Sequence, residues 1–325
     1  MKASINFKLI FAFAIIIPML LLSIFAPLWI PDKTEHANEM NIAMATQMPG
    51  TTVKKIQLKG EGFIDFDEMI IQKGNSIEIL YDNQKRIVTL DELYYSDDIS
   101  KNVINKHYPL GSDRFGRDYL SRLVLGSRVS LMAGFISILI SLLIGTFFGL
   151  LAGYFGGVVD RVVMWIVNVM WSVPTLLLAI AITLSLGKGM WQVFLAIGLT
   201  MWVEVTRVLR GKIMVEREKN YVLALKTLGI SDFKIIVNHI LPNVFQPIIV
   251  ICAANFSTAI LLESGLSFLG IGAESPIPTW GKMIKDHYAY IVLDKAYLAL
   301  LPGLGILLLV MAFMSLGNYL KEKWV

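Results

Sequence analysis

The chain has 325 residues, of which 55% are hydrophobic and only 17% are charged. Soluble domains carry about 25% charged residues, so the composition indicates a membrane protein and argues against a soluble enzyme. The net charge of +4 is mild, and the basic residues are not gathered into a stripe interleaved with aromatic residues, which argues against a nucleic-acid surface. The single cysteine, Cys252, excludes a disulfide within the chain and a zinc site made of cysteines.

Six apolar segments are long enough to cross a bilayer, which takes about 20 residues. In chain order they are Leu9–Ile30, Val129–Tyr154, Val162–Gly187, Gly189–Thr206, Phe245–Gly270 and Ala296–Leu320. A cleaved signal peptide is the alternative for the first segment, because Lys2 and Lys8 precede it. The long apolar run, Pro27 and the lack of a small-residue cleavage site favour a retained helix.

Basic residues predict the orientation, because lysine and arginine in short loops remain in the cytoplasm. Lys2 and Lys8 place the N-terminus inside, and six crossings return the C-terminus to the same side. The loop after the fourth span also lies inside and carries Arg207, Arg210, Lys212, Arg217, Lys219, Lys226 and Lys234. Four arginines between 114 and 128 fall on the predicted outer side, but long external segments cross largely regardless of their charge.

The first outer segment, from Pro31 to Arg128, is too long for a simple connection. Ser76–Tyr81 and Arg86–Leu90 are predicted to be short strands around a turn at Asp82–Lys85. We therefore expect a small β-containing subdomain within residues 31–106. A partly ordered insertion and a partner-binding module remain the alternatives.

Helical spacing of apolar residues begins after Gly116. Tyr119, Leu120, Leu123 and Val124 form a stripe, which predicts an amphipathic helix lying in the membrane interface before the second span. The third span contains Pro174, whose freed backbone carbonyl is tolerated only where neighbouring helices or water satisfy it.

A few polar side chains fall inside the predicted spans. Glu263 is the most unusual, because an ionised carboxylate in a span is costly and usually faces a cavity or a partner. For Glu263 the alternatives are a structural hydrogen bond across a dimer interface and contact with a substrate. For Asn168 and Asn255 the alternatives are the lining of a pathway and hydrogen bonding between helices. Glu204 lies near the inner membrane edge, where pairing with Arg207 suffices to explain it.

The last outer loop, Ile271–Lys295, is predicted to contain a tight turn followed by a short flat helix that closes the mouth of the bundle. Trp280 within it is interpreted as an interfacial anchor. Pro302, Gly303 and Gly305 at the start of the last span permit close approach of helices.

The polar segment Tyr221–Asn243 interrupts the apolar pattern. Its spacing places Tyr221, Ala224, Leu225 and Leu228 on one helical stripe, with Gly229 at a favoured C-cap position. Ser231 and Asp232 then begin a second helix, which is predicted to end at Leu241-Pro242. Because so short a helix is marginal in water, we expect it to dock on a soluble partner with an acidic or mixed groove.

Catalytic signatures are missing from the sequence. Gly111–Asp118 resembles a phosphate loop superficially, but Arg117 and Asp118 stand where lysine and a hydroxyl residue are needed. The histidines are scattered and no serine-nucleophile elbow occurs. The sequence therefore predicts a protein that is not an enzyme.

Several motifs, which follow one another along the chain, resemble those of one family. They are HYPLGSDRFGRDYLSRLVLGSRVSL from His107, GLLAGYFGG at Gly149–Gly157, SVPTLLLAIA at Ser172–Ala181, RVLRGKI at Arg207–Ile213, HILPN at His239–Asn243, LLESGLSFLGIG at Leu261–Gly272 and PTWGKMI at Pro278–Ile284. The spacing from Ala224 through Gly229 to Pro242 is similar to the EAA loop of ATP-binding-cassette (ABC) importer permeases. Together these motifs resemble the DppC/OppC branch of the dipeptide, oligopeptide and nickel permeases.

The resemblance implies an all-α polytopic membrane protein with six transmembrane helices of the type I ABC importer permease fold and a small β-containing external insertion. Its parts are residues 1–30, the insertion at 31–106, and a permease core at 107–325 with a coupling loop at 207–244. The implied ATPase-coupling residues are Tyr221, Ala224, Leu225, Leu228, Gly229, Leu241 and Pro242. Possible pathway or interface residues are Asn168, Asn255 and Glu263.

The implied partners are a homologous permease subunit, two ABC ATPase subunits, an extracytoplasmic substrate-binding protein and the lipid of a bacterial plasma membrane. No cofactor or metal is expected in this chain, since ATP and Mg²⁺ would bind to the ATPase subunits. Leu223 departs from the family pattern, which has glutamate there, and Leu225 replaces alanine. A stand-alone secondary transporter is the alternative function, and it would need its own ion or proton relay.

Overall fold

The computed structural model describes residues 2–59, 63–66, 68–73, 76–81, 84–95 and 99–324. The chain forms two compact units, Ile30–Ser121 and a second unit made of Met1–Trp29 with Arg122–Val325. The first unit extends past the boundary at residue 106 that the sequence suggested. Its last strand pairs within the unit, and the loop up to Ser121 remains part of it.

The regular elements are named here in chain order. The helices are α1 (Lys2–Ile24), α2 (Ala26–Trp29), α3 (Ile99–Asn102), α4 (Tyr119–Phe155), α5 (Gly157–Trp171), α6 (Thr175–Leu186), α7 (Met190–Arg217), α8 (Asn220–Thr227), α9 (Asp232–Ile235), α10 (Leu241–Asn243), α11 (Phe245–Leu269), α12 (Trp280–His287) and α13 (Tyr297–Trp324). The strands are β1 (Thr51–Gln57), β2 (Phe63–Phe66), β3 (Glu68–Lys73), β4 (Ser76–Tyr81), β5 (Gln84–Thr89) and β6 (Val103–Tyr108). A π-helical turn, Ile236–Ile240, joins α9 to α10.

The Ile30–Ser121 unit contains two antiparallel three-stranded sheets, ordered β2-β1-β6 and β3-β4-β5. The predicted hairpin is confirmed as β4 and β5, with Ile77 opposite Val88. Asp82 and Asn83 of its predicted turn lie outside the described residues. Two apolar clusters of buried side chains lie in this unit, one of Ile56, Phe66, Ile77, Ile79, Val88 and Leu93 and a smaller one of Met44, Val53 and Tyr108. The expected β-containing subdomain is therefore present.

Glu39 connects the start of this unit to its first sheet. Its Oε1 accepts a hydrogen bond from Lys55 Nζ at 2.7 Å, and its Oε2 accepts one from Lys106. Lys55 and Lys106 lie on neighbouring strands, β1 and β6, so one carboxylate holds both strands. Burial raises the pKa of Glu39, but the hydrogen bonds from Lys106 and Lys55 outweigh it and leave the pKa below its usual value of 4.5.

We expect the sheet that contains β1 to lose stability in acid. A lowered folded-state pKa means that the stabilisation is complete above pH 4.5, the unfolded value, and disappears as the pH falls through the lower folded value. The expected loss is about 1 kcal/mol, because the carboxylate is partly exposed. Hydrogen–deuterium exchange of β1 and β6 amides, corrected for intrinsic rates, should rise below pH 4.5 in the full-length protein. Glu39→Gln should remove that rise, whereas Glu35→Gln at an exposed neighbouring site should keep it.

The other unit is a helical bundle. α11 packs against α13, α7 and α12, and α1 lies along α13. Lys8 Nζ on α1 pairs with Glu322 Oε1 on α13 at 2.5 Å, and Ser315 Oγ donates to the Lys8 carbonyl at 3.0 Å. Five described helices are long and apolar enough to cross a membrane, namely those within Phe7–Ile24, Tyr119–Phe155, Met190–Arg217, Phe245–Leu269 and Tyr297–Lys323. The expected polytopic all-α architecture is confirmed.

The third predicted span, Val162–Gly187, is not one straight helix. Its residues belong to α5 and α6, which meet at 92°. Pro174 stands at the bend with ψ of 128°, outside the helical region. Proline removes a backbone donor and disfavours the helical conformation at the residue before it, here Val173, so the break follows from the sequence at this point. If the bent pair counts as one span, the described spans number six.

The predicted interface helix after Gly116 is not separate from the second span. α4 is continuous for 37 residues, from Tyr119 to Phe155. A helix of this length measures about 55 Å, well above the bilayer hydrocarbon thickness of about 30 Å. Asp118 caps its first turn by accepting a hydrogen bond from the Ser121 amide at 2.7 Å.

The prediction that Trp280 is an interfacial anchor is wrong. α12 is the expected short helix, but its Trp280 is only 1% exposed and is enclosed by the bundle. The indole Nε1 donates to the Leu123 carbonyl at 2.9 Å. Gly126 and Gly305 leave room for the ring, because a Cβ at either position would stand within 2.9 Å of it. Gly305 therefore permits the close approach that the sequence predicted, and the group that approaches it is the ring of Trp280.

Candidate functional site

The polar segment between α7 and α11 folds as the expected pair of short helices. α8 ends at a Schellman motif in which the Ile230 amide donates to the Leu225 carbonyl at 3.1 Å and the Gly229 amide donates to the Lys226 carbonyl at 3.0 Å. Gly229 has a φ of +75°, the left-handed conformation that favours glycine. The chain direction between the two helices is thus set by Gly229.

The second helix runs further than predicted. Ser231 occupies the N-cap position of α9, although its side chain makes no capping hydrogen bond. The chain then stays helical through Pro242, and the helix ends at Asn243, one residue beyond the expected end at Leu241-Pro242. The π-helical turn explains how proline is accommodated. Proline has no amide hydrogen to donate to a carbonyl of the preceding turn. The wider π-helical turn before Pro242 changes the hydrogen-bond pattern there, so the helix continues without that bond.

The four residues of the predicted stripe do not share one buried face. Tyr221 and Leu225 are partly buried against a core cluster that also contains Val222 and Ile235. Ala224 and Leu228 are exposed instead. Leu241 packs on the same cluster, whereas Gly229 and Pro242 are exposed. The predicted coupling residues thus divide into a set that anchors the helix pair and a set at its surface.

Three large apolar side chains project from the helix pair. Leu223, Leu228 and Phe233 are 55%, 76% and 74% exposed. Lys226 and Lys234 are exposed beside them. We call Leu223, Leu228 and Phe233 the outer apolar face. Exposed apolar side chains concentrated in an otherwise polar loop are typical of a protein-binding surface.

Glu216 at the end of α7 holds both ends of the segment. Its Oε1 accepts hydrogen bonds from Tyr221 Oη at 2.8 Å and from Asn243 Nδ2 at 3.0 Å, while Oε2 pairs with Lys219 at 2.7 Å. Burial, followed by the bond to Glu216, raises the pKa of Tyr221, so its hydroxyl remains a neutral donor at physiological pH. The carboxylate thereby fixes the start of α8 and the end of α10 to one point on the bundle.

Asp232 joins the second helix to the end of α4. It accepts a hydrogen bond from Tyr154 Oη, and Lys226 Nζ lies 4.8 Å from the centre of the Tyr154 ring. Arg217 donates to the Tyr154 carbonyl at 2.9 Å. The sequence assigned Asp232 to the helix dipole and gave Glu216 and Tyr154 no role. The sequence signal that could have pointed to these residues is the group of polar side chains that flank the interruption of the apolar pattern.

The polar residues inside the predicted spans have separate environments. Asn168 accepts a hydrogen bond from Arg207 at 2.9 Å, and the Arg207 guanidinium lies 3.4 Å from the centre of the Trp171 ring. Arg207 is therefore directed to α5, and the expected pair between it and Glu204 does not form. Asn255 is 1% exposed, and its side-chain atoms have no hydrogen-bond partner among the described residues. The hydrogen bond between helices that we expected for Asn255 is absent from that part of the chain.

Glu263 is enclosed by serine hydroxyls of its own chain. It is 2% exposed and accepts hydrogen bonds from Ser267 at 2.7 Å, from Ser130 at 3.2 Å and from Ser264 at 3.4 Å. Ser130 lies on α4, so the carboxylate links α4 to α11. This geometry supports a structural role for Glu263.

Substitution of Glu263 should separate hydrogen bonding from charge. Glu263→Gln keeps an acceptor of the same size, so we expect a change of less than about 1 kcal/mol in stability. Glu263→Ala leaves a cavity and removes the acceptor of the hydroxyls, with an expected loss of about 2–3 kcal/mol. Thermal unfolding of the purified protein in detergent measures both, with Glu218→Ala as the exposed control. Equal destabilisation by Gln and Ala would show that a neutral acceptor at this position does not replace the carboxylate.

The loop at Gly111–Asp118 is organised around its own ion pair. Arg117 Nη2 lies 2.6 Å from Asp113 Oδ2, and both side chains are buried. The Asp113 carboxylate also accepts the Phe115 and Arg117 amides. The loop is therefore filled by a carboxylate and leaves no cradle for a phosphate. No group of three or more histidine, cysteine, aspartate or glutamate side chains suited to a metal ion occurs among the described residues.

The spanning helices, the bent pair and the docked helix pair together define a multi-pass membrane permease. The chain belongs to the family described as the binding-protein-dependent transport system inner membrane component, whose model matches residues 145–324. The resemblance to the DppC/OppC branch is thereby confirmed.

Proteins similar to this chain include permeases of dipeptide and glutathione transport systems. The chain is 40% identical over 212 residues to the dipeptide transport system permease protein DppC of Alkalihalophilus pseudofirmus, covering 65% of this chain and 69% of that protein. It is 37% identical over 226 residues to the glutathione transport system permease protein GsiD of Pectobacterium atrosepticum, covering 70% and 74%. For GsiD of Escherichia coli the identity is 36% over 231 residues, covering 71% and 76%.

Proposed function

We propose that this chain is one of two permease subunits of an ABC importer for peptides or closely related small solutes, such as glutathione. The other permease subunit is a homologue, and an extracytoplasmic binding protein delivers the solute. Two ATPase subunits bind ATP and Mg²⁺ and carry out all hydrolysis, so this chain has no catalytic role. Both termini and the helix pair lie in the cytoplasm.

The outer apolar face carries this proposal. Leu223, Leu228 and Phe233 are held outward by a helix pair that is fixed to the bundle through Glu216 and Asp232. A rigidly mounted apolar surface transmits the movement of whatever binds to it. ATP binding closes the ATPase subunits, the helix pair moves with them, and the bundle changes between inward and outward access. The stand-alone secondary transporter would need an ion or proton relay, and it has less support because the buried carboxylate of Glu263 is enclosed by serines.

Cysteine labelling tests the docking and the orientation together. In a Cys252→Ala background, we expect Leu228→Cys in inside-out vesicles to react with a membrane-impermeant maleimide only after urea removes the ATPase subunits. Lys188→Cys, at the opposite end of the bundle, is exposed and should react only from outside, with or without the ATPase. Equal labelling of Leu228→Cys before and after the wash would overturn the docking proposal. Labelling of Leu228→Cys from outside would overturn the orientation.

Leu223 offers a test of the departure from the family pattern. Restoring the patterned residue with Leu223→Glu should weaken ATPase binding about fivefold, because the exposed leucine belongs to an apolar contact in this protein. Titration of the purified ATPase onto the reconstituted permease complex measures the change, with Leu223→Met as the apolar control. Stronger binding by Leu223→Glu would indicate that the partner retains a basic site for glutamate.

A further inference from the structure

The two faces of α11 are chemically different. One face lines an apolar groove with α4 and α13, formed by residues such as Phe135, Leu139, Cys252 and Phe313. The opposite face lines a cavity of about 510 Å³ between α7, α11 and α13. The polar and charged residues of this cavity are Glu204, Lys212, Ser257, Thr258, Asn318 and Lys321. We call it the charged cavity.

The charges of this cavity lie at two levels. α11 and α13 run in opposite directions, since Ser257 Oγ donates to the Val310 carbonyl at 3.1 Å and Gly317 packs against Ala253. Continuing this pairing along the helices brings Lys321 to the same end of the cavity as Pro247, where α11 begins. α7 contributes Lys212 near that end and Glu204 eight residues earlier, about 12 Å away along the axis. The cavity thus has ammonium groups at one level and a carboxylate at another.

Glu204 is unusual because its charge is not neutralised by the bundle. Its side chain is exposed and makes no ion pair within the described part of the chain. The nearby Arg207 is directed to Asn168 and Trp171 instead. A free carboxylate within a spanning helix is costly in hydrocarbon, so this face of α7 borders water, a polar ligand or another protein rather than lipid tails.

We propose that the charged cavity is a binding site for a zwitterionic solute on its way through the permease. The Glu204 carboxylate binds the solute's ammonium group, and Lys212 with Lys321 binds its carboxylate. This inference rests on the proposed function and adds the means of recognition. The apolar walls of the cavity include Val250, Leu261 and Met314. These walls accept solutes with different side chains without selecting among them.

The length of the site sets the class of solute. An extended chain spans at most about 3.3–3.6 Å per residue, and the flexible lysine stems shorten the gap of about 12 Å between the two levels. Solutes of about two to four residues therefore reach both charges at once. A free amino acid reaches only one of them, so the site distinguishes short peptides from their components.

The first test measures the electrostatics of the cavity in the complete transporter, reconstituted in liposomes on a Cys252→Ala background. Ala254→Cys lines the cavity on α11, and Asn318→Cys lines it beside Lys321. The reagents are a cationic and an anionic methanethiosulfonate, with each rate normalised to its rate with free cysteine. We expect Ala254→Cys to favour the cation about fivefold and Asn318→Cys to favour the anion about fivefold.

Charge-removing variants assign these preferences to residues. Glu204→Gln should abolish the preference of Ala254→Cys for the cationic reagent. Glu204→Asp keeps the charge and should keep the preference, which would show that substitution at this position leaves the fold intact. Lys212→Gln with Lys321→Gln should abolish the preference at Asn318→Cys. The transporter that retains Cys252 in the apolar groove and has no introduced cysteine in this chain is the control, and its Cys252 should not react. Unreactive cysteines in the charged cavity, or preferences that survive the variants, would overturn the proposal.

The second test uses trialanine, N-acetyl-trialanine and trialanine amide as probes. Trialanine should slow the modification of Ala254→Cys at least about threefold, and each blocked peptide should protect less. Equal protection by all three, or none by trialanine, would overturn the zwitterion site. ATP-dependent uptake of trialanine is measured in the same liposomes. Protection without such uptake means that the proposed function fails and the site stands. Uptake that Glu204→Gln leaves unchanged means that the proposed function stands and the site fails.

Discussion

Replacement of Leu228 and Phe233 together by aspartate is expected to abolish ATP-dependent transport and to lower recovery of the ATPase with the permease at least about 30-fold. Both side chains are more than 70% exposed, so the permease itself should fold normally. In the proposed complex they would be buried against the ATPase, where an unpaired carboxylate loses its hydration. Loss of one central apolar contact removes 2 kcal/mol or more, which corresponds to about 30-fold in affinity.

Co-purification and uptake by reconstituted vesicles measure the two effects. Leu228→Ala with Phe233→Ala should give an intermediate result, because contact area is lost without a buried charge. Lys188→Asp, an exposed change at the far end of the bundle, should leave recovery unchanged. Full recovery of the ATPase with the doubly substituted aspartate variant would contradict docking at the outer apolar face.

Trp280→Ala is expected to produce the largest loss of stability, about 3–5 kcal/mol. The ring is almost fully buried, donates to the Leu123 carbonyl at 2.9 Å, and occupies the space left by Gly126 and Gly305. Removing it leaves a large cavity and removes the side-chain hydrogen bond to the Leu123 carbonyl. The midpoint of thermal unfolding of the purified complex should fall accordingly.

Two companion variants separate packing from hydrogen bonding at Trp280. Trp280→Phe keeps much of the ring but lacks the donor, so its midpoint should lie between those of the wild type and Trp280→Ala. Gly126→Ala places a Cβ within 2.7 Å of the ring and should destabilise although Trp280 is intact. A Trp280→Ala midpoint equal to that of the wild type would mean that α12 contributes little to the bundle.

Local signals in the sequence predicted local structure well. Gly229 forms the predicted turn because a helix C-cap depends mainly on one residue's φ and its nearest carbonyls. The hairpin of β4 and β5 follows from a short alternating pattern around a turn. Pro174 carried the signal for the bend between α5 and α6, but hydropathy alone counted the two helices as one span.

Features that depend on three-dimensional packing could not be predicted from the sequence. Hydropathy does not show whether an aromatic residue such as Trp280 meets lipid or two glycines from distant helices. The spacing of Tyr221, Leu225 and Leu228 predicts one stripe, yet only the bundle decides that Leu228 points away from it. The role of Glu216 arises because the segment returns to α7 at Asn243, a closure that spacing cannot reveal.

The outer apolar face also bears on how the subunit is made. A newly inserted copy that has not met its partner keeps Leu228 and Phe233 in water, where they favour aggregation and recognition by proteases. In the proposed complex, binding of the ATPase would cover them and stabilise the folded state by an amount that grows with the logarithm of the partner's concentration. If this surface transmits force in the finished transporter as proposed, it would also be a quality-control signal, through which the supply of ATPase would set how many permease copies the membrane retains.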